Sequence, residues 1–163
     1  MAKLDKARVL DALRLRTRQS LERLIASQQA TQAGATHEET QPENDKDTRA
    51  IEATYLARGL AARVESLEND AALLESFAPH DFAEADSIGV GALVGLEDEE
   101  GQLQIAFVVP CAGGEVLEVD GDSVQCLTPT SPLGQALVSR FVDDEVEVVL
   151  PGGRQTLTIV WLR

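Results

Sequence analysis

The chain has 163 residues, 44% of them apolar and 26% charged, enough for one ordinary domain or two small ones with a buried core. An aromatic share of 4% argues against a base-stacking platform or an aromatic-lined ligand pocket, and a net charge of −14 argues against binding bare nucleic acid, where phosphate neutralisation dominates. The N-terminus MAKLDKARVLDALRLRTRQ carries charges throughout, and no window approaches the ~18 uninterrupted apolar residues of a membrane span; no membrane role and a cytoplasmic location with reduced thiols are expected.

Residues 3–30 contain no Gly or Pro and place Leu10, Leu13, Thr17, Leu21, Leu24 and Gln28 on one helical stripe. Seven of the fourteen basic residues fall in this first helix, as Lys3, Lys6, Arg8, Arg14, Arg16, Arg18 and Arg23, and read as solvated positions flanking the apolar seam. A second stripe follows at Ala53, Leu56, Leu60, Val64, Leu67, Ala71 and Leu74. Between them, Gly34 and Pro42 punctuate the polar run GATHEETQPENDKDT, with Asp47 or Thr48 available to cap the second helix. Two narrow stripes joined by a polar segment predict an antiparallel helical hairpin, since neither stripe can otherwise leave water. At ~1.5 Å per residue, such an arm would be on the order of 40 Å long. Its tip, residues 37–49, holds five carboxylates, Glu38, Glu39, Glu43, Asp45 and Asp47.

Pro79, scattered acids and the closing Gly89 mark FAPHDFAEADSI, 77–88, as a linker, polar enough to predict that residues 86–163 fold alone. Short apolar runs then recur at 90–96, 103–110, 115–119, 122–128, 145–150 and 156–162 and predict strands, separated by the glycine-bearing turns DEEGQ, CAGGE, DGD and PGGR. SPLGQALVSRF, 131–141, opens with Ser at the N-cap position and Pro at the first helical position, which predicts one short helix on the sheet. From Glu65 onward there are nineteen acidic residues against three basic ones. Cys111 and Cys126 lie on separate segments without CxxC spacing, so neither a metal site nor a disulfide is expected. His37 and His80 are single histidines on loops, and the glycine pairs 113–114 and 152–153 lack the helix that a phosphate cradle needs.

The stretch SPLGQALVSRFVDDEVEVVLPGG resembles SPIARALIGKKVGDEVEVKTPGG of the Gre factor (GreA/GreB) family of bacterial transcript-cleavage factors. IGVGALVGLEDEEGQ and RVESLE resemble the first β segment and the end of the second coil helix of that family. The resemblance implies an α+β protein in three parts: a coiled-coil finger at 1–76, the linker at 77–88, and an FKBP-like domain with one short helix at 89–163 that docks on RNA polymerase at its secondary channel. It nominates Ser131, Pro132, Leu133, Gly134, Ala136 and Leu137 for docking, with Leu133→Asp expected to weaken it. It also implies that tip carboxylates help hold a magnesium ion at the polymerase active centre, where backtracked RNA is hydrolysed, so that the chain is not itself an enzyme and has no stably bound cofactor of its own. Glu43, Asp47, Asp45, Glu38 and Glu39 are the candidates, because magnesium takes hard oxygen ligands.

The tip departs from the family segment GDLSENAEY. Matching Glu43 and Asn44 to its Glu-Asn pair puts Thr40 where the family has Asp; counting back from Arg63 puts Lys46 where it has Glu. Neither register restores both carboxylates. A polymerase-binding modulator without cleavage activity is therefore one alternative. A module pairing its coil with a second chain is another, although a monomer is expected. Prolyl isomerase activity is disfavoured, since from residue 89 onward only Phe107, Phe141 and Trp161 could line an aromatic pocket.

Overall fold

The computed structural model describes residues 4–38 and 46–163, with side chains described except at 34–38, 46 and 47. Two helices, α1 (Lys6–Glu38) and α2 (Lys46–Ser76), precede the strands β1 (Leu93–Asp98), β2 (Leu103–Val108), β3 (Val116–Val119) and β4 (Asp122–Leu127). A short helix, α3 (Pro132–Leu137), and the strands β5 (Glu145–Leu150) and β6 (Gly153–Leu162) complete the order. Contacts divide the chain into an arm unit, Leu15–Ala72, and a sheet unit made of Met1–Arg14 together with Leu73–Arg163. These units do not follow the division expected from the punctuation, because the first turns of α1 and the last of α2 belong with the sheet.

In the arm unit, half-buried positions recur at helical spacing. Leu21, Leu24, Ile25 and Gln28 on α1, and Ala57, Leu60, Val64, Leu67 and Ala71 on α2, are partly covered, while Thr17 is buried. The helices run further toward the tip than expected. Gly34 lies within α1, since its cost of ~1 kcal/mol against Ala is too small to stop a helix already propagating. Because α2 begins at Lys46, Asp47 and Thr48 are helical residues of its first turn, and the expected cap is not theirs. The α2 stripe also starts later than predicted, at Ala57. Ala53 is exposed, as are Ile51, Tyr55 and Leu56, so the periodic pattern there does not correspond to a seam.

In the sheet unit, six strands take the order β3-β4-β2-β1-β6-β5. All neighbours are antiparallel except β2 and β4, which pair in parallel across the intervening β3. The β3–β4 reversal has only Asp120 and Gly121 as its loop, at φ 56° and 91°, the left-handed pair that a two-residue hairpin with the sheet's twist requires. Strand β1 begins three residues later than the apolar run at 90–96, because Gly91 turns the chain at φ 96°. Strand β6 begins earlier than its run, at Gly153, since the hairpin with β5 pairs right up to its turn.

The sheet buries two cores. One is closed by Leu133 and Leu137 of α3 over Val94, Leu96, Ala106, Val108, Val146, Val148, Leu157 and Ile159. The other gathers Leu93, Phe107, Leu117, Val119, Val124 and Cys126 under Leu4, just before α1, Val9, Leu10 and Leu13 from its start and Leu74 from the end of α2. Leu10 and Leu13 were expected in the hairpin seam; they lie against the sheet instead.

Two glycines permit close approaches. A Cβ at Gly95 would overlap the Trp161 indole laid across β1, and one at Gly134 would collide with the Thr128 carbonyl beneath α3. Gly134→Ala is therefore expected to cost about 3 kcal/mol, because the obstacle is backbone and cannot rotate away. Gly59→Ala, on open space in α2, should stabilise by up to about 1 kcal/mol. Urea midpoints of the two variants should move in opposite directions.

Candidate functional site

Of the tip carboxylates, Glu39, Glu43 and Asp45 lie outside the described residues. Glu38 closes α1 and Asp47 falls in the first turn of α2, with side chains that are not described. Among the described residues, no group of three or more His, Cys, Asp or Glu is placed to hold a metal ion.

The second candidate region surrounds α3. Ser131 caps the helix in extended conformation at φ −69° and ψ 154°. Its Oγ accepts from the Gly134 N–H at 3.1 Å and donates to the Thr128 carbonyl at 2.8 Å, and Pro132 follows where a helix has no partner for an N–H anyway. The six nominated residues then separate. Leu133, Gly134 and Leu137 are buried in the core, Ser131 and Ala136 are half-covered, and Pro132 is exposed. Leu133→Asp would thus bury a carboxylate and unfold the unit rather than report on docking. The face α3 turns to solvent carries Pro132 and Gln135, whose Nε2 donates to the Thr130 carbonyl at 2.9 Å.

α3 is shorter than the 131–141 expected. The Val138 N–H still bonds to the Gly134 carbonyl, but Ser139 then turns left-handed at φ 67°. Asp143 does the same at φ 71°. Both occupy places where the family stretch quoted above has glycine, so each carries a strain that glycine would avoid, of order 1 kcal/mol. Between them the backbone is firmly tied. Ser139 N–H donates to the Ile88 carbonyl and Ile88 N–H to the Arg140 carbonyl, each at 2.8 Å; Phe141 N–H donates to Asp144 Oδ2 at 2.9 Å and Asp143 N–H to the Ile159 carbonyl at 2.8 Å.

The basic residues at the start of α1 have a role that the sequence reading missed. Lys6 Nζ donates to the His80 carbonyl at 2.7 Å and lies 5.0 Å from the Phe82 ring centre; burial lowers its pKa, with Asp81 pulling the other way. Arg8 pairs with Asp120 in the β3–β4 turn. Arg14 donates to the carbonyls of Leu74 at 2.9 Å and Phe77 at 3.0 Å, supplying the positive charge that the last turn of α2 lacks. That missing basic residue in ENDAALLES was the available signal. These are clamps within the sheet unit, not solvated flanks, and they tie the linker down. Neither cysteine forms a disulfide, and burial, then Glu115, pushes the Cys126 thiol up to about 12, so it stays protonated and unreactive at neutral pH.

Residues 83–162 match the family model described as Transcription elongation factor, GreA/GreB, C-term, a span that contains the whole sheet and α3. Among solved structures, GreA factor homolog 1 (Gfh1) of Thermus thermophilus is similar at 25% identity and TM-score 0.39, over 93% of this chain and 95% of that one. Gfh1 of Thermus aquaticus is similar at 23% identity and TM-score 0.40, over 94% and 95%. A GreA/GreB elongation factor from Nitrosomonas europaea is similar at 21% identity and TM-score 0.37, over 61% of this chain and 78% of that one. No curated protein matches. No helix among the described residues is long and apolar enough to cross a membrane.

Proposed function

Because the chain belongs to the GreA/GreB family of transcription elongation factors, we propose that it acts on RNA polymerase, docking through the sheet unit and offering its tip carboxylates to the polymerase active centre. The observation that carries this reading is the family match over 83–162, which takes in the capped, proline-started α3 and every strand. The chain itself supplies no catalytic group. Hydrolysis of backtracked RNA belongs to the polymerase, and Glu43 and Asp47, with Asp45, Glu38 and Glu39 beside them, steady a magnesium ion and its water when the tip reaches the phosphodiester. Magnesium is bound only in that complex, and nucleic acid is met only through the polymerase. The factor works as a cytoplasmic monomer.

A second reading is favoured by one observation. Thr40 or Lys46 stands where the family has a carboxylate, depending on register, which supports a factor that occupies the polymerase and modulates elongation without cleavage. The two readings are separated by incubating stalled, backtracked polymerase with the chain across a magnesium titration and following the 3′ end of the RNA. Shortened transcripts are expected for the cleavage factor; RNA left uncut by a bound factor would establish the modulator.

A further inference from the structure

Among residues 83–163 there are fourteen acidic side chains and three basic ones, Arg140, Arg154 and Arg163. Arg154 pairs with Glu147 at 3.2 Å, and Arg163 lies over the Trp161 ring at 4.5 Å. Arg140 is exposed, and its side chain makes no ion pair or hydrogen bond among the described residues. The residue beside it, Phe141, is 48% exposed, and among the described residues its neighbours Ser139 and Arg140 are exposed as well. An isolated exposed apolar residue needs no explanation. This one sits on a backbone fixed by hydrogen bonds on both sides, between two left-handed non-glycine residues, Ser139 and Asp143, whose strain the fold retains.

We propose that Arg140 and Phe141 form a pre-organised anchor for a protein surface presenting an apolar recess with a carboxylate at its edge, and, resting on the reading above, that this surface belongs to RNA polymerase. Arginine and aromatic residues, phenylalanine included, are enriched at protein interfaces, and a rigid loop loses little entropy when it docks. The charge pattern selects the partner. The strongly acidic span 83–163 repels nucleic acid phosphates, and Arg140, whose side chain has no ion pair or hydrogen bond among the described residues, marks where a partner's carboxylate finds an attractive contact. Two side chains cover far less than the ~800 Å² per partner of a stable interface, so they do not hold two copies of this chain together by themselves; they act as the centre of a larger contact that includes exposed Pro132 and Gln135 of the neighbouring α3.

The test measures the affinity of the full chain for core RNA polymerase in four forms: wild type, Phe141→Ala, Arg140→Glu, and Val116→Ala as a control on the exposed edge strand β3, at the opposite side of the sheet from β5. Phe141→Ala and Arg140→Glu should each weaken binding at least tenfold, with Val116→Ala within twofold of wild type and melting temperatures within a few degrees. Should Phe141→Ala fail to fold, Arg140→Glu, which loses no partner among the described residues, decides alone. Wild-type affinity in both variants would overturn the anchor while leaving the polymerase reading intact. Tenfold losses shared by Val116→Ala would overturn it too, as a diffuse interface. A wild-type chain that does not bind polymerase removes the reading and this inference together.

Discussion

A fragment of residues 86–163 is expected to lose cooperative folding, with collapsed amide NMR dispersion and a tendency to associate, although its polar upstream segment suggests a free-standing domain. The cut removes Leu4, Val9, Leu10, Leu13 and Leu74, which cover one face of the sheet, and uncovers Leu93, Phe107, Leu117, Val119 and Val124. Burying side chains of this size stabilises by about 1.5–3 kcal/mol each, so the five together supply on the order of 10 kcal/mol. A whole domain of this size is stable by only about 5–15 kcal/mol. The loss is therefore comparable to everything the unit has. The cut also deletes Lys6, Arg8 and Arg14, whose contacts with the His80 carbonyl, Asp120, and the Leu74 and Phe77 carbonyls respectively help seat the helix ends. Within the intact chain, Leu13→Ala should cost about 2–5 kcal/mol in urea unfolding, with the emission of the single tryptophan, Trp161, reporting the change because its ring packs against the same core. A well-dispersed, monomeric 86–163 fragment would show that the helix ends rest on the sheet without supporting it.

Neutralising Glu43→Gln and Asp47→Asn together should abolish stimulated RNA cleavage while leaving polymerase affinity within a few-fold of wild type. The amides keep the size of the side chains but lose the charge that attracts a hard cation, and two-metal hydrolysis depends on that ion and its water being held in place. Single changes should be milder, since the neighbouring carboxylates of the tip remain. The measurement is the rate of 3′ shortening of backtracked RNA at fixed magnesium. If the double variant cuts as fast as wild type, Glu43 and Asp47 are not the ligands, and Glu38 and Glu39 become the pair to exchange.

Much of the architecture could be read from periodicity and turn chemistry, and the misreadings have physical causes. The stripes of α1 and α2 announce a buried face but not what buries it, so Leu10 and Leu13 look like seam residues and prove to be sheet cover. Six strands and their glycine turns were visible one by one, whereas the parallel pairing of β2 with β4 joins segments separated by a hairpin, and no local pattern encodes it. The nominated docking residues illustrate a further limit. Ser131, Pro132, Leu133 and Leu137 stand out because they match a family stretch, yet Leu133 and Leu137 are core, and a match of this kind marks packing as readily as contact. Arg140 and Phe141 carry no motif; only exposure, the lack of an ion partner for Arg140 among the described residues and the strained flanks single them out.

The most direct measurement is co-elution of the full chain with purified core RNA polymerase on size exclusion, followed by titration to a dissociation constant at two salt concentrations. A stoichiometric complex, one chain per polymerase, that loses affinity in Arg140→Glu is the predicted result. A chain that elutes at its own 17.5 kDa position at every concentration, with polymerase unshifted, would contradict the assignment of RNA polymerase as its partner.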